Sequence, residues 1–288
     1  MKIVRILGGL GNQMFQYAFA LALSKFYSED IKIDPKAFIG YPLHDGYLLN
    51  DIFNISLEEA SVKNICKVNY PIFHYKIWQI SKHILPKHHK VYFEKEDMVF
   101  DKNVFELSKK CYLDGYWQSE KYFSLYKDAI YRDFTFPILD EKNAALVKEF
   151  IKSKTVSIHV RRGDYLNHPL FKDLSDLNYY KRAIEYLDSN TKTETYLIFS
   201  NDIVWCKENI TNLLNGKKII FVDWNKGKDS FRDMQLMSLC NHNVVANSSF
   251  SWWGAWLNRH EDKIVIAPRK WMNVDRELDI IPQSWIKV

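Results

Sequence analysis

The chain has 288 residues, enough to bury a full core in one large domain or two of moderate size. Hydrophobic residues make up 47% and charged residues 26%, the balance of an ordinary globular protein. The net charge of +5 is milder than a nucleic-acid binder gathers, so no nucleic-acid partner is expected, and it suits a small anionic ligand or an anionic surface.

Residues 3–7 read as a buried strand, residues 8–11 (Gly-Gly-Leu-Gly) as a tight loop, and residues 12–27 as a helix apolar almost all round. Strand, glycine loop and helix open an α/β unit. Met1 leads straight into that strand, with no charged head and apolar core of a signal peptide. No run of about 18 apolar residues follows anywhere, so the expected location is cytoplasmic. Four cysteines, Cys66, Cys111, Cys206 and Cys240, lie far apart without a CxxC pair. This argues against a zinc site or disulfide framework and fits a reducing compartment.

A second strand, Ile31–Asp34, ends at Pro35, and residues 40–135 then carry no clear period. Between Ala60 and Phe93 there is no acidic residue, while Lys67, Lys76, Lys82, Lys87 and Lys90 sit among Tyr70, Phe73, Tyr75, Trp78 and Tyr92. The run is either a solvated basic helical face or a surface for anionic lipid or a lipid-linked substrate, a peripheral membrane contact.

From residue 150 the alternation is regular. Strands are predicted at 155–161, 195–200, 217–223, 243–247 and 263–267, with helices at 177–188, 229–240 and 250–259 between them. The succession implies a parallel sheet covered on both faces. Phe136-Pro137 and the charged segment 140–153 make a boundary, giving two α/β domains, 1–140 and 150–288.

Three constellations carry the candidate chemistry. In HVRRGDY, His159 to Tyr165, strand alternation sets Ser157, His159 and Arg161 on the face opposite Val156, Ile158 and Val160. Arg161 is then expected to point into a ligand cleft at the carboxyl end of the strand, with Arg162 bracing a loop through Asp164. A salt-bridge cluster without a ligand is the alternative. In NSSFSWWGAW, Asn247 to Trp256, Ser248 or Ser249 is a natural N-cap, so a helix begins near Phe250 and its free N–H groups form an anion site. The alternative is a cap packed by tryptophans. GGLGNQ, Gly8 to Gln13, lacks the third glycine of a dinucleotide fingerprint, since Met14 stands there, and lacks the Lys-Ser/Thr of a P-loop. It either brings backbone to a ligand or simply starts a helix. No Asp-x-Asp metal clamp, Tyr-x-x-x-Lys pair or G-x-S-x-G elbow occurs, and His88-His89 are lysine-flanked neighbours unsuited to a metal.

GGLGNQMFQYAFA, HVRRGDY and NSSFSWWGAWL, in that order and supported by FSND (Phe199–Asp202) and DGYWQSEKYF (Asp114–Phe123), resemble the α-1,2-fucosyltransferase family of bacterial surface polysaccharide synthesis. The resemblance spans residues 2 to 271. It implies a GT-B-like α/β fold, two Rossmann-like domains facing a central cleft, with an acceptor-side first half and the donor held by the second. It also implies an inverting reaction that needs no cofactor and no metal, taking fucose from GDP-fucose to a galactose-containing oligosaccharide or lipid-linked glycan. Arg161 would hold the donor diphosphate, helped by Arg162, Asn247, Ser248, Ser249, Phe250 and Ser251, while Asp202 and Asp233 would hold guanine or ribose. On the acceptor side stand Gly9, Gly11, Asn12, Gln13, Asp45, Trp117 and Gln118, with Asn12 near the fucose or the acceptor. The base that takes the acceptor proton is left open among Asp164, His159 and Asp45. Rivals are a transferase of the same build with another nucleotide sugar or acceptor, and a non-catalytic nucleotide- or glycan-binding protein.

Overall fold

The computed structural model describes residues 1–107 and 110–288, with Lys82 described by its backbone alone; the side chain of that member of the basic run lies outside the described set. The chain divides into two compact units, Met1–Pro137 with Glu277–Ile280, and Ile138–Arg276 with Ile281–Val288.

The first unit holds strands β1 (Lys2–Arg5), β2 (Ile31–Asp34), β3 (Val91–Phe93) and β4 (Cys111–Asp114). They form one parallel sheet in the order β2-β1-β4-β3. Helix α1 (Leu10–Tyr27) is its main support, and every residue from Leu10 to Leu23 except Asn12 is buried. Such a helix must lie inside the unit, since each large apolar side chain buried contributes roughly 1.5–3 kcal/mol. It begins two residues earlier than residue 12, because Gly9 rather than Gly11 supplies the extended N-cap. The unreadable middle resolves into short α2 (Leu49–Ile52) and α3 (Val62–Ile65), then α4 (Tyr75–Ile84) and α5 (Lys127–Asp133). Strands of three or four residues are too short for a period to show, which is why β3 and β4 escape a sequence reading.

The second unit holds α6 (Glu141–Phe150), β5 (Thr155–Val160), α7 (Leu177–Asn190), β6 (Thr195–Ser200), α8 (Ile203–Asn209) and β7 (Lys218–Val222). It continues through α9 (Phe231–Leu239), β8 (His242–Val244), α10 (Ser249–Trp256), β9 (Val265–Ala267) and β10 (Ile286–Lys287). All strands are parallel, in the order β10-β9-β8-β5-β6-β7. The regular alternation from residue 150 is thus a doubly wound sheet. The chain steps outward from β5 through β6 to β7, then returns to place β8 on the other side of β5. That reversal is the topological switch point, where adjacent connections leave the sheet in opposite directions and open a crevice.

Helix α10 packs against α9, and Gly254 permits the approach: a Cβ there would lie 2.9 Å from Met237 Cβ and 3.1 Å from its Sδ. Gly254→Ala is expected to lower stability by about 1–3 kcal/mol through overpacking, outweighing the roughly 1 kcal/mol that alanine gains in helix propensity. A urea titration showing unchanged or higher stability would contradict this close packing.

Candidate active site

The two long motifs of the second half meet at its switch point. β5 runs into HVRRGD and β8 into ANSSFS, and these strands are hydrogen-bonded neighbours, Ile158 opposite Val244. Beyond the sheet, the Arg161 guanidinium lies over the Tyr165 ring at 5.1 Å. His159 packs its ring on Phe250 at 5.9 Å between centroids.

The arginines divide their work differently from the expectation. Asp164 pairs with Arg161, Nη2 to the two carboxylate oxygens at 2.7 and 2.9 Å, and not with Arg162. Arg162 donates through Nε to Asp202 at 3.1 Å and lies 4.1 Å over the Trp205 ring, fastening the loop to the start of α8. Gly163 explains the exchange. Its φ of +63° turns the chain so that Arg161 and Asp164 come together, and a Cβ there would sit 2.9 Å from Asn201 Nδ2. Asn201 clamps the turn, accepting from Arg162 N–H at 2.9 Å and donating to its carbonyl at 3.2 Å. No role was expected for Asn201; a polar residue directly after a strand was the available signal. Asp202 also accepts from Trp205 N–H as the cap of α8, so both its oxygens have protein partners.

Arg161 keeps free capacity. Its Nε is buried with no hydrogen-bond partner, while its side chain is 30% exposed. His159 is 8% exposed, and burial, with a smaller push from Arg161, lowers its pKa to about 3. It is therefore a neutral imidazole at physiological pH and a weak proton acceptor.

In the second motif the N-cap is Ser248, whose side chain accepts from Phe250 N–H at 3.4 Å, and α10 starts at Ser249. Ser249 and Phe250 are half-buried. Ser251 is turned inward, its hydroxyl on the Ala246 and Ser248 carbonyls. Asn247 ties loops together through Ser175, Phe171 and Trp271. These two side chains shape the turn and have their polar atoms engaged by protein. Asp233, in the first turn of α9, follows β7 at the same carboxyl edge. It accepts from Asn225 Nδ2 at 2.7 Å, and burial raises its pKa to about 7 against the pull of that amide.

The remaining expected residues belong to the first unit. Gly8 has φ +98° and hands over to α1. Gln13 is buried and bonds Gly8 O, Gly46 O and Leu48 N–H, so it locks the glycine loop to residues 46–48. Gly11 lies buried in the first helical turn behind Gly9. Asn12 accepts from Gln118 Nε2 at 2.9 Å, joining two of the expected residues. Asp45 is exposed on the loop before Gly46. Trp117 is fully buried and stacked on Phe19 at 4.3 Å, a core residue rather than a platform for sugar. Among the described residues, no three His, Cys, Asp or Glu side chains gather as a metal site, and no helix is long and apolar enough to cross a membrane.

Comparison with known proteins extends this picture. The family model described as glycosyl transferase family 11 matches residues 1–288. An α-1,2-colitosyltransferase of Escherichia coli is 32% identical, over 99% of this chain and 98% of its own. The O-antigen biosynthesis glycosyltransferase WbnK of the same species is 31% identical, over 98% of both chains. Galactoside α-(1,2)-fucosyltransferase 2 of Oryctolagus cuniculus is 26% identical, over 89% of this chain and 67% of its own. Among solved structures, the fucosyltransferase NodZ from Bradyrhizobium has the same GT-B-like fold, with a TM-score of 0.52 at 14% identity, covering 88% of this chain and 91% of that one. With its paired parallel sheets, its arginine loop and its serine-capped helix, the chain belongs to glycosyl transferase family 11.

Proposed function

We propose that the chain is an inverting, metal-independent α-1,2-fucosyltransferase that moves L-fucose from GDP-β-L-fucose to a hydroxyl of a galactoside, within a surface polysaccharide or oligosaccharide. The observation that carries the reading is the meeting, at one switch point, of a partly exposed guanidinium with the first turn of α10, whose cap by Ser248 takes only the Phe250 N–H. That is a site for a diphosphate. The α-1,2 linkage finds support in the colitosyltransferase and the rabbit fucosyltransferase, both α-1,2 enzymes.

In the reaction, the acceptor oxygen forms a bond to fucose C1 from the face opposite the nucleotide while the C1–O bond to the β-phosphate breaks. The acceptor proton departs, and negative charge collects on the leaving phosphate. Arg161, oriented by Asp164, and the first-turn N–H groups of α10 left by the Ser248 cap are fixed donors for that charge, preorganised without a metal. Asp164 faces Arg161 with both oxygens, so its part is orientation of the guanidinium. Arg161→Ala should cut acceptor-dependent GDP release at least about 100-fold, while wild-type turnover survives EDTA. Turnover lost with EDTA would overturn the metal-free mechanism, and turnover retained in the variant would remove Arg161 from the diphosphate.

Asp233 is the donor-binding group with a pH signature. An ionised carboxylate accepts N–H or O–H groups of guanine or ribose, and its pKa is raised to about 7 by burial. The nucleotide binds the deprotonated form, so GDP affinity should rise as pH increases from about 6 to 8 through that value. In Asp233→Asn the rise should flatten. A wild-type affinity independent of pH across this range, measured by calorimetry, would remove Asp233 from the nucleotide site.

A second donor reading has a specific basis, the 32% identity to a colitosyltransferase. Colitose is fucose without its 3-hydroxyl, so the phosphate logic does not separate the two sugars. Turnover with GDP-colitose but not GDP-fucose would select it.

Peripheral membrane contact finds support in α4. Ile77, Ile80 and Ile84 are 57–73% exposed on one helical face, in the stretch without acidic residues that carries Lys76 and Lys87. An apolar stripe flanked by lysines suits an anionic bilayer surface. Ile80→Asp together with Ile84→Asp should abolish cosedimentation with phosphatidylglycerol liposomes, and unchanged cosedimentation would refute the contact.

A further inference from the structure

Glu94 follows β3 directly, and its carboxylate takes hold of the loop that leaves β4. Oε2 accepts the Tyr116 N–H at 2.6 Å and Oε1 the Trp117 N–H at 3.0 Å. Consecutive N–H groups that converge in this way make a concavity for an anion, and here the anion is a side chain of the same unit. Gly115 makes room for it: a Cβ there would lie 2.4 Å from Glu94 Cβ and 2.8 Å from Oε2. The turn so closed is a strained one. Trp117 has φ +55°, a left-handed conformation that a bulky residue adopts only where its surroundings impose it.

Holding a carboxylate here is costly. Burial raises the Glu94 pKa to about 7, and Asp97 and Asp114 add to the rise against the pull of the two N–H donors. The Trp117 ring needs no such clamp to stay in the core, since it is already stacked on Phe19 and edge-on to Tyr122. What the turn fixes is the next residue. Gln118 donates through Nε2 to Asn12 Oδ1 at 2.9 Å, reaching across to the glycine loop. Gln16 secures the same junction, donating to Gly115 O at 3.0 Å and accepting from Leu7 N–H at 2.9 Å. Among the described residues, Asn12 Nδ2 and Gln118 Oε1 take no further partner. The joined amides thus keep one donor and one acceptor free, the complement of a hydroxyl group, which accepts and donates at once. Backbone strain gathers where a segment is held for a ligand.

We infer that Glu94 is a positioning residue for the acceptor: by clamping the left-handed turn at Trp117 it sets Gln118 against Asn12, and the joined amides take hydroxyl groups of the acceptor glycan. Glu94 acts through the turn and not on the substrate. The assignment rests on the transferase reading, which makes Asn12 and Gln118 acceptor-side groups.

The test follows acceptor KM and kcat at about pH 8, where the Glu94 carboxyl is ionised. In Glu94→Gln one carboxylate oxygen becomes an NH2 facing a backbone N–H, donor against donor. Acceptor KM should rise at least about tenfold with kcat within about threefold, the mark of lost binding. Glu94→Asp, which keeps both acceptor atoms on a shorter stem, should raise KM less. Because Glu94 acts through Gln118, adding Glu94→Gln to Gln118→Ala should change KM by less than about twofold. GDP affinity, read by calorimetry, should be unchanged in each variant and reports that the protein is folded. An unmoved KM in Glu94→Gln, a full tenfold rise on top of Gln118→Ala, or GDP affinity lost together with KM would each overturn the assignment. Saturation-transfer NMR with methyl β-galactoside reads the same binding without donor. Turnover with an unmoved KM would leave the function standing and this role refuted; galactoside binding that depends on Glu94 and Gln118, in a protein that turns over no nucleotide sugar, would do the reverse. A wild type that neither turns over nor binds the galactoside would overturn both.

Discussion

A parallel sheet whose strand order reverses sends the connections of two neighbouring strands to opposite faces, and the space between them cannot be filled by either. Much of the chemistry in this protein follows from that constraint. In the second unit the reversal falls between β5 and β8, so the polar residues after each strand converge. Residues about 85 positions apart in sequence become neighbours, because parallel pairing sets Ser157 against Asn243 in register.

The loop after β5 is held in a fixed arrangement. Arg161 stays partly open only because Arg162 is committed elsewhere, to Asp202 and Trp205, and because Asn201 pins the backbone between them. Two adjacent arginines thus have unlike duties, one anchoring the loop and one presenting a charge. Asp164 holds that charge in place, as an exposed ion pair whose value lies in geometry more than in stability. Opposite it, Ser248 caps α10, and Asn247 and Ser251 spend their hydrogen bonds on the turn itself. Under the proposed function the ligand-facing role falls to backbone N–H groups, which a side-chain inventory does not display.

The first unit is a smaller parallel sheet with its own strand order. Its glycine loop is braced by Gln13 and Gln16, which bond backbone on both sides and leave Asn12 and Gln118 joined at the edge. Helix α4 presents unlike faces, Tyr75 and Trp78 on one and Ile77, Ile80 and Ile84 on the other.

Long elements declared themselves in the sequence. The apolar helix after Gly8-Gly9, the strands from residue 155 onward and the serine cap before Phe250 all follow from local rules of period and capping, which need no partner to be read. The sequence also determined the family, because three motifs in fixed order are written in residue identity. Tertiary structure alone decided which arginine pairs with Asp164, that Trp117 is core, and that Arg5 lies in register with Asp34 while its side chain pairs with Asp114. Each of these depends on strand order or on a single glycine torsion, and neither leaves a local periodic trace. Three-residue strands such as β3 and β8 exist by virtue of their neighbours' hydrogen bonds, so their residues acquire a shared edge only when the sheet assembles.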